Sequence, residues 1–221
     1  MSSPPSGNSR PISFRALCKL SRPLHQTTMP ISDFRKKKLL YVFNVFFGGV
    51  REQRKHYVNQ SGTIEKKDFE LAIEKICSLR GWSQGNAKHT ETYDTMIKIW
   101  DGLRQRADAN KDGQVSVDEW CSMWNEYAAS PDKALEWQQR YMNFMFDLED
   151  ASNDGSIDVD EFTTVCSCYG LQPGECKTAF AKMSKGKETV SREEFQELWK
   201  QFFSSEDPST PGNFIFGKTN F

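Results

Sequence analysis

Two stretches of the chain set oxygen-bearing side chains at alternate positions around a glycine. In the first, Asp108, Asn110 and Asp112 stand first, third and fifth in a 12-residue frame, Gly113 sixth, and Gln114, Ser116 and Glu119 seventh, ninth and twelfth. In the second, Asp150, Ser152, Asp154, Gly155, Ser156, Asp158 and Glu161 fill the same places. An all-oxygen donor set suits a hard cation. Ca²⁺ takes six to eight oxygens, and a loop of this length offers a backbone carbonyl at position 7, a water-mediated contact at 9 and a bidentate Glu at 12. Position 6 calls for glycine because the backbone turns sharply there. The second frame has four acidic ligands against three in the first, so charge count favours tighter binding there. Mg²⁺ competes for the same oxygens but demands stricter octahedral geometry. An acidic Asx-turn or helix cap would account for one isolated D-x-N-x-D-G, but not for two full frames each closed by Glu.

Such a frame works when a helix enters it and another leaves it, the arrangement of an EF-hand. Apolar residues recur at helical spacing near 33–47, 67–80, 92–107, 117–129, 134–147, 160–169, 173–183 and 191–203, predicting eight helices around four loops. Val115 and Ile157, both at position 8, suit short strands that pair the loops. The expected fold is all-α: a compact four-EF-hand protein of two packed pairs, 33–129 and 130–221, behind a disordered basic leader at 1–32. Only a short turn with Ser130-Pro131 separates the pairs, so they should pack as one body, with Ser130 or Asp132 capping the next helix.

The other two loops are damaged. Counting back from Val190 and Glu194, the fourth puts Met183, Lys185 and Lys187 at positions 1, 3 and 5 and Glu188 where glycine belongs. Lysine offers no oxygen and repels a dication, so this loop is read as an inactive partner whose Val190 pairs with Ile157. In the first, Asn59, Ser61, Thr63 and Asp68 occupy positions 3, 5, 7 and 12, but position 1 is Tyr57. Apolar Leu40, Phe43 and Phe47 fit a helix running straight to Gly48. Residues 48–57, with Arg51, Arg54 and Lys55, therefore read as an insertion that disables the first site. Two calcium ions are expected.

Composition fits a globular, intracellular calcium binder. The chain of 221 residues carries net charge −1, and Arg10, Arg15, Lys19 and Arg22 of the acid-free leader leave −5 on the rest. Nothing here suggests nucleic-acid binding. Six cysteines without a secretory signal fit a reduced cytoplasmic protein; Cys166 and Cys168 read as buried small hydrophobes. No apolar run approaches membrane-spanning length, and a monomer is expected. Sixteen Phe, six Trp and six Tyr against seven Met predict an aromatic core. Calcium sensors that open on loading expose Met-rich grooves, so this balance favours a closed, buffer-like body.

Gly212-Asn213-Phe214-Ile215-Phe216-Gly217-Lys218-Thr219 literally matches the phosphate-binding G-x-x-x-x-G-K-T. A P-loop needs a strand before it and a helix after it; here Ser209-Thr210-Pro211 precedes and two residues follow. The segment is read as an apolar tail anchored by Phe214, Ile215, Phe216 and Phe221.

Asp33-Phe34, Asp68-Phe69-Glu70-Leu71-Ala72-Ile73, Ile99-Trp100-Asp101-Gly102-Leu103, Tyr141-Met142-Asn143-Phe144-Met145-Phe146-Asp147 and the Gly212-Asn213 tail with Phe216-Gly217 resemble the calexcitin and sarcoplasmic calcium-binding protein family. The resemblance implies a compact all-helical protein with calcium in three hands and an inactive fourth. It also implies a non-enzymatic neuronal calcium sensor acting on ion channels and linked to GTP binding, against the alternative of a passive sarcoplasmic-type buffer. A photoprotein relative would need histidines beside its chromophore, and the only ones are His25, His56 and His89.

Overall fold

A computed structural model describes residues 31–47 and 62–221. Eight α-helices among them flank, in pairs, four two- or three-residue strands. Helix α1 (Asp33–Phe47) leads to β1 (Thr63–Ile64) and α2 (Lys66–Arg80); α3 (Ala87–Ala107), β2 (Val115–Ser116) and α4 (Val117–Ala129) form the second hand. The third is α5 (Glu136–Glu149), β3 (Ser156–Asp158) and α6 (Val159–Cys168). The fourth is α7 (Pro173–Met183), β4 (Thr189–Ser191) and α8 (Arg192–Ser204). The all-α expectation holds, and so do the loop-pairing strands. β1 and β2 are antiparallel with Ile64 opposite Val115, and β3 and β4 with Ile157 opposite Val190.

The position-9 and position-12 residues of the loops also start the exiting helices. Ser116 with Glu119, Asp158 with Glu161, and Ser191 with Glu194 each form a reciprocal capping box, in which side chain and backbone satisfy each other's free donors. The helix boundary and the twelfth position of the loop are thus fixed by the same pair.

Two helix starts differ from the sequence expectation. α3 begins at Ala87 rather than 92, because Asn86 accepts a hydrogen bond from Lys88 N–H at 2.8 Å; its first turn is exposed and so carries no apolar period. Neither Ser130 nor Asp132 caps α5. Ser130 instead precedes a 3₁₀ turn at Pro131–Lys133, Gln138 Oε1 accepts from Leu135 N–H at 2.9 Å, and Asp132 receives the Lys200 ammonium at 2.6 Å. α1 ends at Phe47 as expected, whereas the 48–57 insertion and the leader up to residue 30 lie outside the described residues.

The core is aromatic and runs through both halves. Trp120, Trp124, Phe146, Phe162, Phe202 and Phe203 are fully buried. Trp124 of α4 stacks on Phe203 of α8 and meets Trp137 of α5 edge-on. α3 approaches α5 at Gly102, where a Cβ would lie 2.3 Å from Trp137 Cβ. Arg35 and Lys38 of α1 are buried among late-chain carbonyls: Arg35 donates to Trp124 O and Phe203 O and pairs with Glu206, and Lys38 donates to Ser205 O and Asn213 Oδ1. Burying a charged head is tolerated only when acceptors surround it, and two of the acceptors here, Phe203 O and Ser205 O, are carbonyls left over at the end of α8.

Candidate metal centres

Each intact frame forms a loop whose backbone curls around its own carboxylates. Asp108 accepts from Asp112 N–H (3.1 Å) and Gly113 N–H (3.0 Å). Asp150 accepts from Asp154 N–H (3.1 Å) and Gly155 N–H (3.0 Å). Asp112 Oδ1 accepts from Gln114 N–H, and Asp154 Oδ1 from Ser156 N–H, both at 2.9 Å. Lys111 and Asn153, at position 4, and Gly113 and Gly155, at position 6, all have positive φ. The two loops therefore follow one path, and glycine is needed at the sixth residue because its φ of 85–89° is strained for any side chain.

The twelfth residue closes each loop. Glu119 Oε2 accepts from Ser116 N–H (2.9 Å) and the Ser116 hydroxyl (2.8 Å), while Oε1 accepts from Ala109 N–H (3.0 Å) at the head of the loop. Glu161 spans its loop likewise, from Asp158 N–H (3.1 Å) to Ser152 N–H (2.8 Å). Burial alone would raise the Glu119 carboxyl, but the hydrogen bonds from Ser116, Ala109 and Asn110 together hold it below the usual range. The hydroxyl and amide of Ser156 lower Asp154 in the same way. Both groups are thus charged at neutral pH, as a cation ligand must be.

Among the described residues no three His, Cys, Asp or Glu side chains are gathered into a ready-made cluster. The loop carboxylates are spread over backbone N–H groups, and drawing them to one point would oppose like charges until a cation joined them. The donor chemistry, the spacing and the loop path all fit Ca²⁺. The twelve candidate ligands of the sequence reading fall on these two loops, with Asn110 Nδ2 also donating to Asp112 Oδ2 at 2.8 Å.

In the first hand, Asp68 accepts from Glu65 N–H at 2.8 Å and closes the capping box of α2, and Thr63 lies in β1. Asn59 and Ser61 lie outside the described residues. In the fourth, the positive-φ residues are Lys185 and Gly186. They end α7 through Gly186 N–H to Ala181 O (3.0 Å), so the chain never traces the curve of the intact loops.

Two residues beside the third loop escaped the sequence reading. Glu149, just before Asp150, is 2% exposed, and its Oε2 has no hydrogen-bond partner. Burial, reinforced by Glu161, pushes its carboxyl well above the usual range. Arg80 at the end of α2 donates to Leu148 O, binding the first hand to the last turn before Asp150. A polar residue one place before a frame is a visible signal for Glu149; nothing local points to Arg80.

The G-x-x-x-x-G-K-T match lies in a tail with neither a strand before it nor a helix after it. Gly212 sits where a Cβ would lie 2.4 Å from Leu198 O, and Phe214, Ile215 and Phe216 are buried. The Lys218 ammonium lies over the rings of Tyr41 and Phe221, and Thr219 Oγ1 donates to Glu175 at 3.3 Å. These groups hold the tail to the body. Cys166 is buried and Cys168 half-buried, a partial correction to the expectation that both are buried; both carry free thiols. No helix among the described residues is long and apolar enough to cross a membrane.

Paired helix–loop–helix hands with oxygen-rich frames define an EF-hand calcium-binding protein. The EF hand family model matches residues 105–124 and 145–166, the second and third hands. The chain is 32% identical over 199 residues to Calexcitin-1 of Caenorhabditis elegans, covering 86% of this chain and 90% of that one. The fold superposes on a sarcoplasmic calcium-binding protein from amphioxus with TM-score 0.68 at 26% identity, over 86% of this chain and 99% of that one. It also resembles calcium-loaded apo-aequorin from Aequorea victoria, with TM-score 0.59 at 13% identity over 80% and 94% of the two chains, which shows the fold alone. The chain belongs to the calexcitin and sarcoplasmic calcium-binding protein family.

Proposed function

We propose that the chain binds two calcium ions, one in each of the loops 108–119 and 150–161, without catalytic activity. The supporting observation is that in both loops the Asp at position 1 accepts from the N–H groups of positions 5 and 6, and the Glu at position 12 reaches back to an N–H at the head of the loop. In the Asp108 loop the ligands are Asp108, Asn110, Asp112, the Gln114 carbonyl, Ser116 through water, and Glu119. In the other they are Asp150, Ser152, Asp154, the Ser156 carbonyl, Asp158 and Glu161. Calorimetric titration of the full chain tests this, with two calcium sites expected; three sites, or a titration unaffected by changes at both Glu119 and Glu161, would sink it.

The body supports a buffer-like response. Tyr93 and Leu135 are the only large hydrophobics exposed among the described residues, and opening the hands would break the aromatic contacts that join the halves. Family likeness to calexcitin supports the sensing alternative, in which loading uncovers an apolar surface for a partner such as an ion channel. A dye that brightens on exposed apolar surface separates the two readings: no change on adding Ca²⁺ is expected for the closed body, and a large rise would overturn it. A chromophore-binding role has little support, since His89, the one histidine among the described residues, lies half-buried in the first turn of α3 and not in the core.

A further inference from the structure

Glu194, the twelfth residue of the fourth loop, behaves like its counterparts in the two intact loops, with one exchange. Its Oε2 accepts from Ser191 N–H at 3.0 Å, as Glu119 and Glu161 accept from Ser116 and Asp158. Its Oε1, which in those loops reaches a backbone N–H at the head of the loop, instead takes the ammonium of Lys187. Lys187 stands fifth in the sequence frame, where a calcium ligand belongs. The residue that excludes a metal ion thus brings a cation of its own to the carboxylate that would have closed around the metal.

The next segment carries this closure to the neighbouring loop. Thr189–Ser191 pairs with Ser156–Asp158 in the register Ser156↔Ser191, Ile157↔Val190 and Asp158↔Thr189. Ser156 and Asp158 are candidate ligands of the third loop. The strand that presents them is therefore hydrogen-bonded to a segment whose far end is fixed by Lys187 and Glu194.

We propose that Lys187 is a tethered cation that holds the fourth loop shut around Glu194 in place of calcium, and so acts as a positioning residue for the calcium site of the Asp150–Glu161 loop. The proposal rests on the reading that this loop binds calcium. The pair is solvent-exposed, with side-chain exposures of 62% and 39%, and exposed ion pairs are weak. The expected effect on calcium affinity is therefore modest, about two- to fivefold. Its sign is diagnostic. If Lys187 acted only as a nearby positive charge, removing it would strengthen calcium binding; as a positioning residue, its removal weakens binding.

The test uses the full chain carrying Glu119→Gln, so that one calcium step remains, titrated calorimetrically at low salt. Adding Lys187→Met is expected to weaken that step two- to fivefold, and Lys187→Arg to restore it. The loss should fade in high salt, where exposed pairs are screened. Amide exchange at Ile157 and Val190 should quicken in Lys187→Met without calcium, while far-UV circular dichroism reports an intact fold. A calcium step left unchanged or tightened by Lys187→Met overturns the proposal alone. A Glu119→Gln parent with no calcium step overturns the site reading, and this inference with it.

Discussion

The indole of Trp124 lies flat on the ring of Phe203, with 3.7 Å between centroids and 13° between planes. One residue belongs to the exiting helix of the second hand and the other to that of the fourth, 79 positions later in the chain. The contact welds the halves at the centre of the core, where Trp124 also meets Trp120, Tyr127 and Trp137 edge-on.

Truncation there should be costly. Trp124→Ala or Phe203→Ala empties a fully buried aromatic site and should lower stability by about 3–5 kcal/mol. Because the residue is shared between halves, both should unfold in one transition. Urea denaturation followed by fluorescence and by circular dichroism checks this, and two separate transitions in the parent protein would contradict it.

Calcium stoichiometry should fall by one for each closing glutamate altered. Glu119→Gln and Glu161→Gln keep the capping geometry but remove the charge of the bidentate ligand. Each should leave one calorimetric site of the two, and the pair together none. Added Mg²⁺ should weaken the apparent calcium affinity of whichever site remains, by competing for the same oxygens.

Stability should rise with pH above neutrality because of Lys38. Burial, then the neighbouring Arg35, lowers this lysine to about 7 against the opposing pull of Glu206, whereas an unfolded lysine titrates near 10.4. Between those values the unfolded chain binds more protons than the folded one, so stability increases with pH through the window and is flat below it. Urea midpoints at pH 7, 8 and 9 should climb less in Lys38→Met. The difference between the two proteins isolates Lys38, since Cys121 and Tyr141, held above their ordinary values by burial, pull the other way at the alkaline end.

The tail should matter for stability rather than for nucleotide. Removing residues 212–221 exposes the site of Phe214, Ile215 and Phe216, each buried, and leaves Lys38 without Asn213. At about 1.5–3 kcal/mol per buried apolar side chain, the loss should be several kcal/mol. Lys218→Ala, which spares the buried residues, should leave the absence of GTP binding unchanged in equilibrium dialysis. Nucleotide retained by the parent and lost in Lys218→Ala would reverse this reading.

The loops, the helices and the partnering of Ile157 with Val190 were legible in the sequence because they rest on short-range rules. A cation loop is spelled by oxygens at fixed offsets over twelve residues, its closing residues are also the capping box of the next helix, and an apolar stripe repeats every three to four positions. The expectation of an inactive fourth loop comes from the same offsets, which place lysines where oxygens belong.

Tertiary structure decided what those residues do with one another. The sequence frame marks Lys187 as a missing ligand; only the turn at Lys185 and Gly186, which swings the chain away from the loop path, lets its ammonium meet Glu194. Arg35 and Lys38 look like ordinary surface charges on α1 until carbonyls at the end of α8, some 170 positions away, surround them. Arg80 reaches Leu148 across the two halves. Offsets along a chain specify local hydrogen bonds, but a charge finds its partner, and a helix end its cap, only when packing has set distant segments side by side.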